Sequence, residues 1–537
     1  MERSCGRRMV GLFCCLIGAL AFLMVRVWEL GQGEVLAQAA EQQSSYRLEV
    51  ARTRGRIYDR ELEPLTGGKV SYLAAVAPSP QGLEALTPLV EPEQREELAR
   101  RMEERKPFLI PVTSYAQGLP GIEIFPLEER YAQGLAPHLL GYVNGDGIGQ
   151  SGIEAACQEE LDAFGGSLWV RFQIDALGRV LGGGQGESPA EKSLPTGGVV
   201  LTLDRSLQQA AQQAMEDHGV ETGACVVMDV ETGGILAAVS CPPFDPDNVA
   251  ASLEEEDAPL LNRILQPYSV GSSFKLAVTA AALEEGISPL QRYQCLGGVE
   301  VDGQVFHCHN LAGHGEISLE EAIQKSCNAY FVQLAQQVGG EPIRRMAAAL
   351  GFGSPCSLAE GIQGASGTLP AQEELVSGEL ANFSFGQGKL TATPLQITAM
   401  TAAIANGGRQ VVPCLVMGMS EDGETLSWEA PDYASQQVMS QRTARILQAL
   451  MISVVEEGSG TTAKPDQGGA GGKTASAQTG RMDPATGEEV VHAWFTGFYP
   501  AEDPRYAITV LVEGGESGTD RAAPVFRQIA NAISQEN

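Results

Sequence analysis

The chain has 537 residues, 43% of them hydrophobic, enough for roughly two to four domains and at least one large core. Its formal net charge is −31 and its pI about 4.6, which excludes a nucleic-acid partner, because phosphate binding needs a basic surface. The 11 cysteines are odd in number and lack both a C-x-x-C pair and the spacing of a secreted disulfide scaffold.

In chain order, Arg3, Arg7 and Arg8 precede an apolar run from Met9 to Val25, followed by Arg26, Val27 and Trp28. The run is at the short end of a membrane span, and its basic flank places the N-terminus on the cytoplasmic side. Ala37-Gln38-Ala39 has the form of a cleavage site but lies too far beyond the run, so the spacing predicts an uncleaved signal anchor. Phe13 before Cys14 argues against lipid attachment. Cys14 and Cys15 are plain small hydrophobes. The expected layout is a cytoplasmic tail over 1–8, an anchor over 9–28 and a polar connector over 29–45, with a helix from Gln38 to about Tyr46.

Residues 46–180 form a module without a nucleophile–base pair. Its basic cluster, Arg52 to Arg60, is expected to be a solvated face. Residues 84–106 are charged and helix-prone, and Pro120–Phe125 and Val170–Ile174 alternate as strands do. His138, beside Pro137, is expected to be structural. Residues 181–198, rich in Gly, Ser and Pro, are expected to be a linker. A strand over Val199–Leu203 then leads into an amphipathic helix over Asp204–Asp217, with Asp204 as N-cap. Glu231-Thr232-Gly233-Gly234 joins strands 224–230 and 235–239 in a hairpin. A long helical and loop region covers about 250–450. Strands 472–479, 494–499 and 506–513 and a helix over 524–534 close the chain. Strands first, helices next and strands last predict an α+β fold around an antiparallel sheet.

Three short motifs carry chemistry. Of the eight lysines only Lys275 has a serine three residues before it, Ser272; of the nine asparagines only Asn328 has a serine two before it, Ser326. Lys473-Thr474-Ala475-Ser476 follows. Ser272 and Lys275, one turn apart on a helix expected to run to about Glu285 and end at Gly286, bring an amine toward a hydroxyl. The amine serves as base only if burial or a second cation lowers its pKa. Each motif alone is weak. The ordered set is strong.

The set resembles the S-x-x-K, S-x-N and K-T-G signature of the penicillin-binding proteins and class A β-lactamases. Further segments are similar to class B penicillin-binding proteins of the sporulation or division type without C-terminal repeats. They are Arg54-Gly55-Arg56-Ile57-Tyr58-Asp59-Arg60, Gly147 to Glu154, Leu201 to Gln208, Ser384-Phe385-Gly386-Gln387-Gly388, Thr393-Pro394-Leu395-Gln396 and His492 to Gly497. The resemblance implies a β-rich pedestal, or dimerisation, domain over 46–180. It also implies a transpeptidase domain over 199–537, an antiparallel sheet with helices on both faces, held outside the cell membrane. The implied activity is serine D,D-transpeptidation of peptidoglycan stem peptides ending in D-Ala-D-Ala, inhibited by β-lactams, with no cofactor and with a membrane glycan polymerase as partner.

Residue by residue, the resemblance implies that Ser272 is the nucleophile and Lys275 its base. Lys473 is the second cation that lowers the Lys275 pKa and attracts substrate carboxylate. Ser326 relays a proton to the leaving D-alanine, and Asn328 orients Lys275 and the donor peptide. Thr474, Ala475 and Ser476 bind substrate, and the backbone N–H groups of Ser272 and Ser476 form the oxyanion hole. Ala475 stands where glycine is usual, and its methyl is expected to narrow the site. A catalytically impaired scaffold and a β-lactam sensor or hydrolase are the alternatives.

Cys295, His307, Cys308, His309 and His314 make a second cluster. The H-C-H spacing is poor for chelation by neighbours, so no metal is assigned. A Cys295–Cys308 disulfide and plain loop residues are the other readings. Cys327, inside the S-x-N motif, is expected to be a buried filler.

Overall fold

The computed structural model describes residues 2–31, 44–181, 187–188, 195–429, 435–484 and 486–536. They fall into two compact units, each discontinuous in sequence: Met1–Thr53, Gly68–Glu129 and Gly165–Pro195 in the smaller, and Arg54–Gly67, Arg130–Phe164 and Thr196–Asn537 in the larger.

In the smaller unit, helix α1 (Glu2–Gly31) contains a span, Arg8–Glu29, long and apolar enough to cross a membrane and wholly exposed. The strands are β1 (Ser45–Thr53), β2 (Lys69–Val76), β3 (Phe108–Val112), β4 (Ile122–Glu129) and β5 (Gly166–Gln173). β1 pairs antiparallel with β5, and β3, β2 and β4 form an antiparallel sheet in that order. β2 is buried on both faces at its end. Ala74 and Val76 join a core with Leu98 and Met102 of the helix Arg95–Glu104, while Ala75 joins Val50, Phe125 and Val170. This is the period-two alternation of a strand meeting the i, i+4 stripe of a helix.

The helix expected from Gln38 lies outside the described residues as far as 43. Its end at Tyr46 is corrected, because Tyr46 is on β1, where Tyr46-x-Leu48-x-Val50 alternates against β5. Most of the expected linker lies outside the described residues too. Within it Glu187 pairs with Arg171 and Gly198 opens a strand.

The larger unit is built on a five-stranded antiparallel sheet. In chain order its main elements are α2 (Arg205–Asp217), β6 (Gly223–Asp229), β7 (Ile235–Cys241), α3 (Lys275–Glu284), α4 (Leu319–Gln324) and α5 (Asn328–Val338). They continue with α6 (Pro394–Ala405), α7 (Gln441–Glu457), β8 (Gly471–Met482), β9 (Glu489–Tyr499), β10 (Tyr506–Val512) and α8 (Ala523–Glu536). Strand order is β8-β9-β10-β6-β7. Both faces are covered. Ala224, Val226, Met228, Ala507 and Leu511 share a core with α6, while Cys225, Val227, Ile508 and Val510 share one with α2 and α8.

The expected hairpin and closing strands are present, and Asp204 caps α2, accepting from Leu207 N at 3.1 Å. The region 250–450 departs from expectation by holding short ladders, Arg292–Cys295 with Gly315–Ser318 and Gly298–Val301 with Gln304–His307.

The basic cluster is not wholly a solvated face. The Arg54 side chain is 8% exposed and donates from Nε to Glu154 Oε2 at 2.8 Å and from Nη2 to Glu154 O at 2.7 Å. Arg130 and Tyr131 also bond the fully buried Glu154 carboxylate. The carboxylate's two oxygens each take one guanidinium, and Asp162, Gln158 and the carbonyls of Gly55 and Gly147 accept from the remaining N–H groups, which is what lets them be buried. Asp59 accepts from the backbone N–H of Glu61, Glu63 and Arg205. His138 is structural: it packs edge-on against Phe244, bonds Pro259 O through Nε2, and is held to a pKa of about 4 by burial.

Candidate active site

The serine of S-x-x-K sits on a turn clamped from three sides. Tyr268–Ser269 pairs with Thr391–Ala392, then Gly271–Phe274 makes a 3₁₀ turn that runs into α3. The α-helix thus begins at Lys275, and Ser272 precedes it on the tighter turn. α3 ends as expected, with Gly286 at φ +82° and Ile287 N donating to Ala282 O. Gly271, at φ +52°, donates to Gly386 O at 3.0 Å. A Cβ on Gly386 would lie 1.9 Å from Gly271 O, so the Ser384–Gly388 segment must carry glycine there. On the other side the turn abuts β8: a Cβ on Gly271 would meet Ala477 Cβ at 3.0 Å and Ser476 O at 3.3 Å. From below, Trp494 Nε1 donates to Ser269 O at 3.1 Å, and Tyr268 OH and Arg263 Nε both donate to Glu513 Oε1 at 2.8 Å.

The S-x-N motif is a corner between two helices. α4 starts with a capping box, Ser318 with Glu321. It ends with Cys327 N donating to Ala322 O at 2.9 Å, and α5 begins at Asn328. Ser326 takes the left-handed position at φ +52° that glycine usually fills, at a cost of about 1–3 kcal/mol.

Lys275 lies wholly buried between these pieces. Its Nζ donates to Asn328 Oδ1 at 2.7 Å, Ser326 O at 2.8 Å and Ser326 Oγ at 3.2 Å. Lys473, also buried, donates to Ser326 Oγ at 3.0 Å and Thr474 O at 2.8 Å. Ser326 Oγ therefore receives both ammonium groups. Among the described residues no carboxylate pairs with either lysine. Burial lowers Lys275 to about 7, with the Cys327 and Cys308 sulfurs opposing it. Burial likewise lowers Lys473 well below its usual value, with the Lys275 charge adding to it. Removal from water is thus the chief cause of the Lys275 shift.

Ser272 Oγ has no hydrogen-bond partner among the described residues and is half-buried, whereas Ser273 Oγ is spent on Val270 O at 2.7 Å. On β8, Thr474 Oγ1 and Ser459 Oγ are 2.7 Å apart, and Ser476 is exposed. Ala475 is only 3% exposed and belongs to the main core, so its methyl does not lie on the open side of the strand with Ser476. Sequence reasoning missed Ser459, Arg263, Glu513 and the clamping role of Gly386. Arg263 and Glu513 are far apart in the chain and carry no local pattern.

Cys295, Cys308 and Cys327 are unbridged and buried, so of the readings left open the disulfide is absent among the described residues. The S-x-N cysteine is more than filler: its sulfur is 3.8 Å from that of Cys308. His307 and His309 are exposed.

The sheet with helices on both faces, carrying S-x-x-K, S-x-N and K-T-small around two buried lysines, defines the penicillin-binding fold. Residues 223–531 match the penicillin binding protein transpeptidase domain, and the chain belongs to that family. It is 32% identical over 410 residues to Stage V sporulation protein D of Bacillus subtilis, a match spanning 73% of this chain and 61% of the relative. It is 32% identical to the peptidoglycan D,D-transpeptidase PbpA of Mycobacterium tuberculosis, over 64% of this chain and 73% of PbpA. A structure of a peptidoglycan synthase complex that coordinates polymerization and crosslinking contains a chain 26% identical to this one. It superposes with a TM-score of 0.71 over 98% of both chains.

Proposed function

We propose that the protein is a membrane-anchored peptidoglycan D,D-transpeptidase. Residues 1–8 are its cytoplasmic tail, 9–28 its anchor, 29–45 a connector, 46–180 its pedestal, 181–198 a linker and 199–537 the catalytic domain. Within the pedestal span, segments 54–67 and 130–164 pack with the larger unit. The single apolar helix near the N-terminus supports the anchor, with the catalytic domain outside the cell membrane.

Ser272 Oγ attacks the carbonyl carbon of the penultimate D-alanine, and Lys275, neutral near pH 7, takes the proton. The oxyanion is held by the backbone N–H groups of Ser272 and Ser476, which the packing of Gly271 on β8 brings toward one another. One such donor is worth about 2.7–4 kcal/mol of barrier. The tetrahedral intermediate collapses, the C–N bond breaks, and Ser326 passes a proton to the leaving D-alanine amine. Asn328 orients Lys275, and Lys473 with Thr474 and Ser476 receives the substrate carboxylate along β8. An amine of a second stem peptide then displaces Ser272 to give the cross-link. A β-lactam acylates the same oxygen.

The observation that carries this reading is the convergence of Lys275 and Lys473 on Ser326 Oγ beside the Ser272 turn. The synthase-complex likeness supports a membrane glycan polymerase as partner. Turnover of a stem peptide ending in D-Ala-D-Ala with an amine acceptor tests it. Amide product with release of D-alanine is expected. Hydrolysis alone would favour a hydrolase, and no turnover by the folded protein would favour a scaffold.

A further inference from the structure

Beside the S-x-N corner, four side chains from positions 295 to 327 point their ligand atoms at one small volume. The sulfurs of Cys295, Cys308 and Cys327 and a ring nitrogen of His314 all lie within 4.8 Å of one another. Cys308 Sγ is 3.8 Å from Cys327 Sγ, and His314 Nδ1 is 3.6 Å from both Cys295 Sγ and Cys308 Sγ. Zinc bound tetrahedrally at about 2.3 Å from sulfur and 2.0–2.1 Å from nitrogen separates its ligands by roughly 3.8 Å (S to S) and 3.6 Å (S to N). These three distances match edges of that tetrahedron, and the other three separations are at most 4.8 Å. A disulfide would bring two sulfurs to about 2.05 Å and leave the third thiol and the imidazole without a role.

The backbone is shaped to hold the set. Cys295 ends a strand whose partner begins at Gly315, one residue after His314. Cys308 follows the strand Gln304–His307, and Cys327 sits at the α4–α5 corner. Gly313, at φ +81°, has no room for a Cβ, which would lie 2.3 Å from Cys295 O; Gly297, at φ +91°, is blocked in the same way by Leu311 O at 2.0 Å. The three cysteines are at most 1% exposed, and His314 is half-buried. Three soft thiolates and one imidazole gathered at this spacing select zinc over calcium, magnesium or a square-planar metal.

We propose that Cys295, Cys308, His314 and Cys327 bind one zinc ion. The site has four protein ligands and no open position, so the ion is structural. Its effect on the reaction runs through Cys327, whose neighbours Ser326 and Asn328 hold the Lys275 ammonium. Asn328 Nδ2 also donates to His307 O, on the residue before ligand Cys308. The metal fixes the corner in which Ser326 is left-handed, so all four ligands are positioning residues for the proposed acyl transfer.

The inference stands on the ligand geometry; only its effect on acylation rests on the function proposed above, so metal content and acylation are read separately. Full-length protein is purified in detergent with a thiol reductant and its zinc measured by plasma mass spectrometry. About one zinc per chain is expected. Exchange for Co2+ should give the visible d–d bands and thiolate-to-metal charge transfer of a tetrahedral sulfur-rich site. His314→Ala should lower metal affinity by about 10–100-fold or more and slow penicillin acylation, while His314→Cys, which keeps a fourth ligand, retains both. Folded wild-type protein without zinc or a cobalt spectrum would overturn the proposal. So would equal zinc affinity in His314→Ala against a competing chelator, or a disulfide among these cysteines in protein isolated without reductant.

Discussion

Lys275 is the residue on which the proposed chemistry turns. A lysine in water holds its proton at neutral pH and is no base. Here burial brings it to about 7. The groups facing it are Lys473 across Ser326 and the Cys308 and Cys327 sulfurs. The sign is fixed by its role as acceptor: above about pH 7 Lys275 is neutral and competent, and below it the proton blocks the base. The acylation rate with a fluorescent penicillin should therefore fall about tenfold per pH unit below 7 and level off above it. Stopped-flow labelling across the range checks this. A profile flat from about pH 5 to 9 would show that Lys275 is not the base.

The site depends on elements whose backbones touch. The Ser272 turn and the Gly386 segment meet main chain to main chain, with room for no side chain. Gly386→Ala should push the turn off β8, cost several kcal/mol of stability, and reduce acylation more than tenfold. Thermal unfolding and penicillin labelling of the variant measure both. A variant with unchanged melting and labelling would mean that this contact does not set the turn.

Much at this scale is legible in the chain. Asp204 marks the start of α2, the Glu231–Gly234 turn marks the hairpin, and Ser272 and Lys275 mark the head of α3. Thr393 and Gln396 form the capping box that opens α6, and Gln396 also bonds the carbonyls of Gly351, Ser354 and Ser366. Other features are not legible. Ser326 reaches a left-handed conformation only because α4 and α5 meet there. Cys295, Cys308 and His314 stand out as a cluster in the chain, but Cys327 joins them only through the fold, which brings two ladders and a helix corner together. The Ala475 methyl was expected in the site and lies in the core, because its direction depends on strand register and on the packing of both faces.

Across the whole chain, the segments outside the three motifs have structural work that their sequence alone does not reveal. The Arg54 and Gly147–Glu154 stretches, about a hundred residues apart, close on one another through a carboxylate that carries two guanidinium groups. Glu154→Ala would leave the largely buried Arg130 without a counter-charge and Arg54 with only the exposed Asp162 carboxylate, and should destabilise the larger unit by about 3–5 kcal/mol. Denaturant unfolding of the full chain measures this. A loss under about 1 kcal/mol would mean that water replaces the carboxylate without penalty.

The central claim is that Ser272 becomes an acyl-enzyme. Full-length protein treated with penicillin, digested and mapped by mass spectrometry tests it most directly. The account predicts one penicilloyl adduct, on the peptide carrying Ser272, that persists after free drug is removed and is absent from a folded Ser272→Ala variant. An adduct on another residue, or equal labelling of Ser272→Ala, would contradict it.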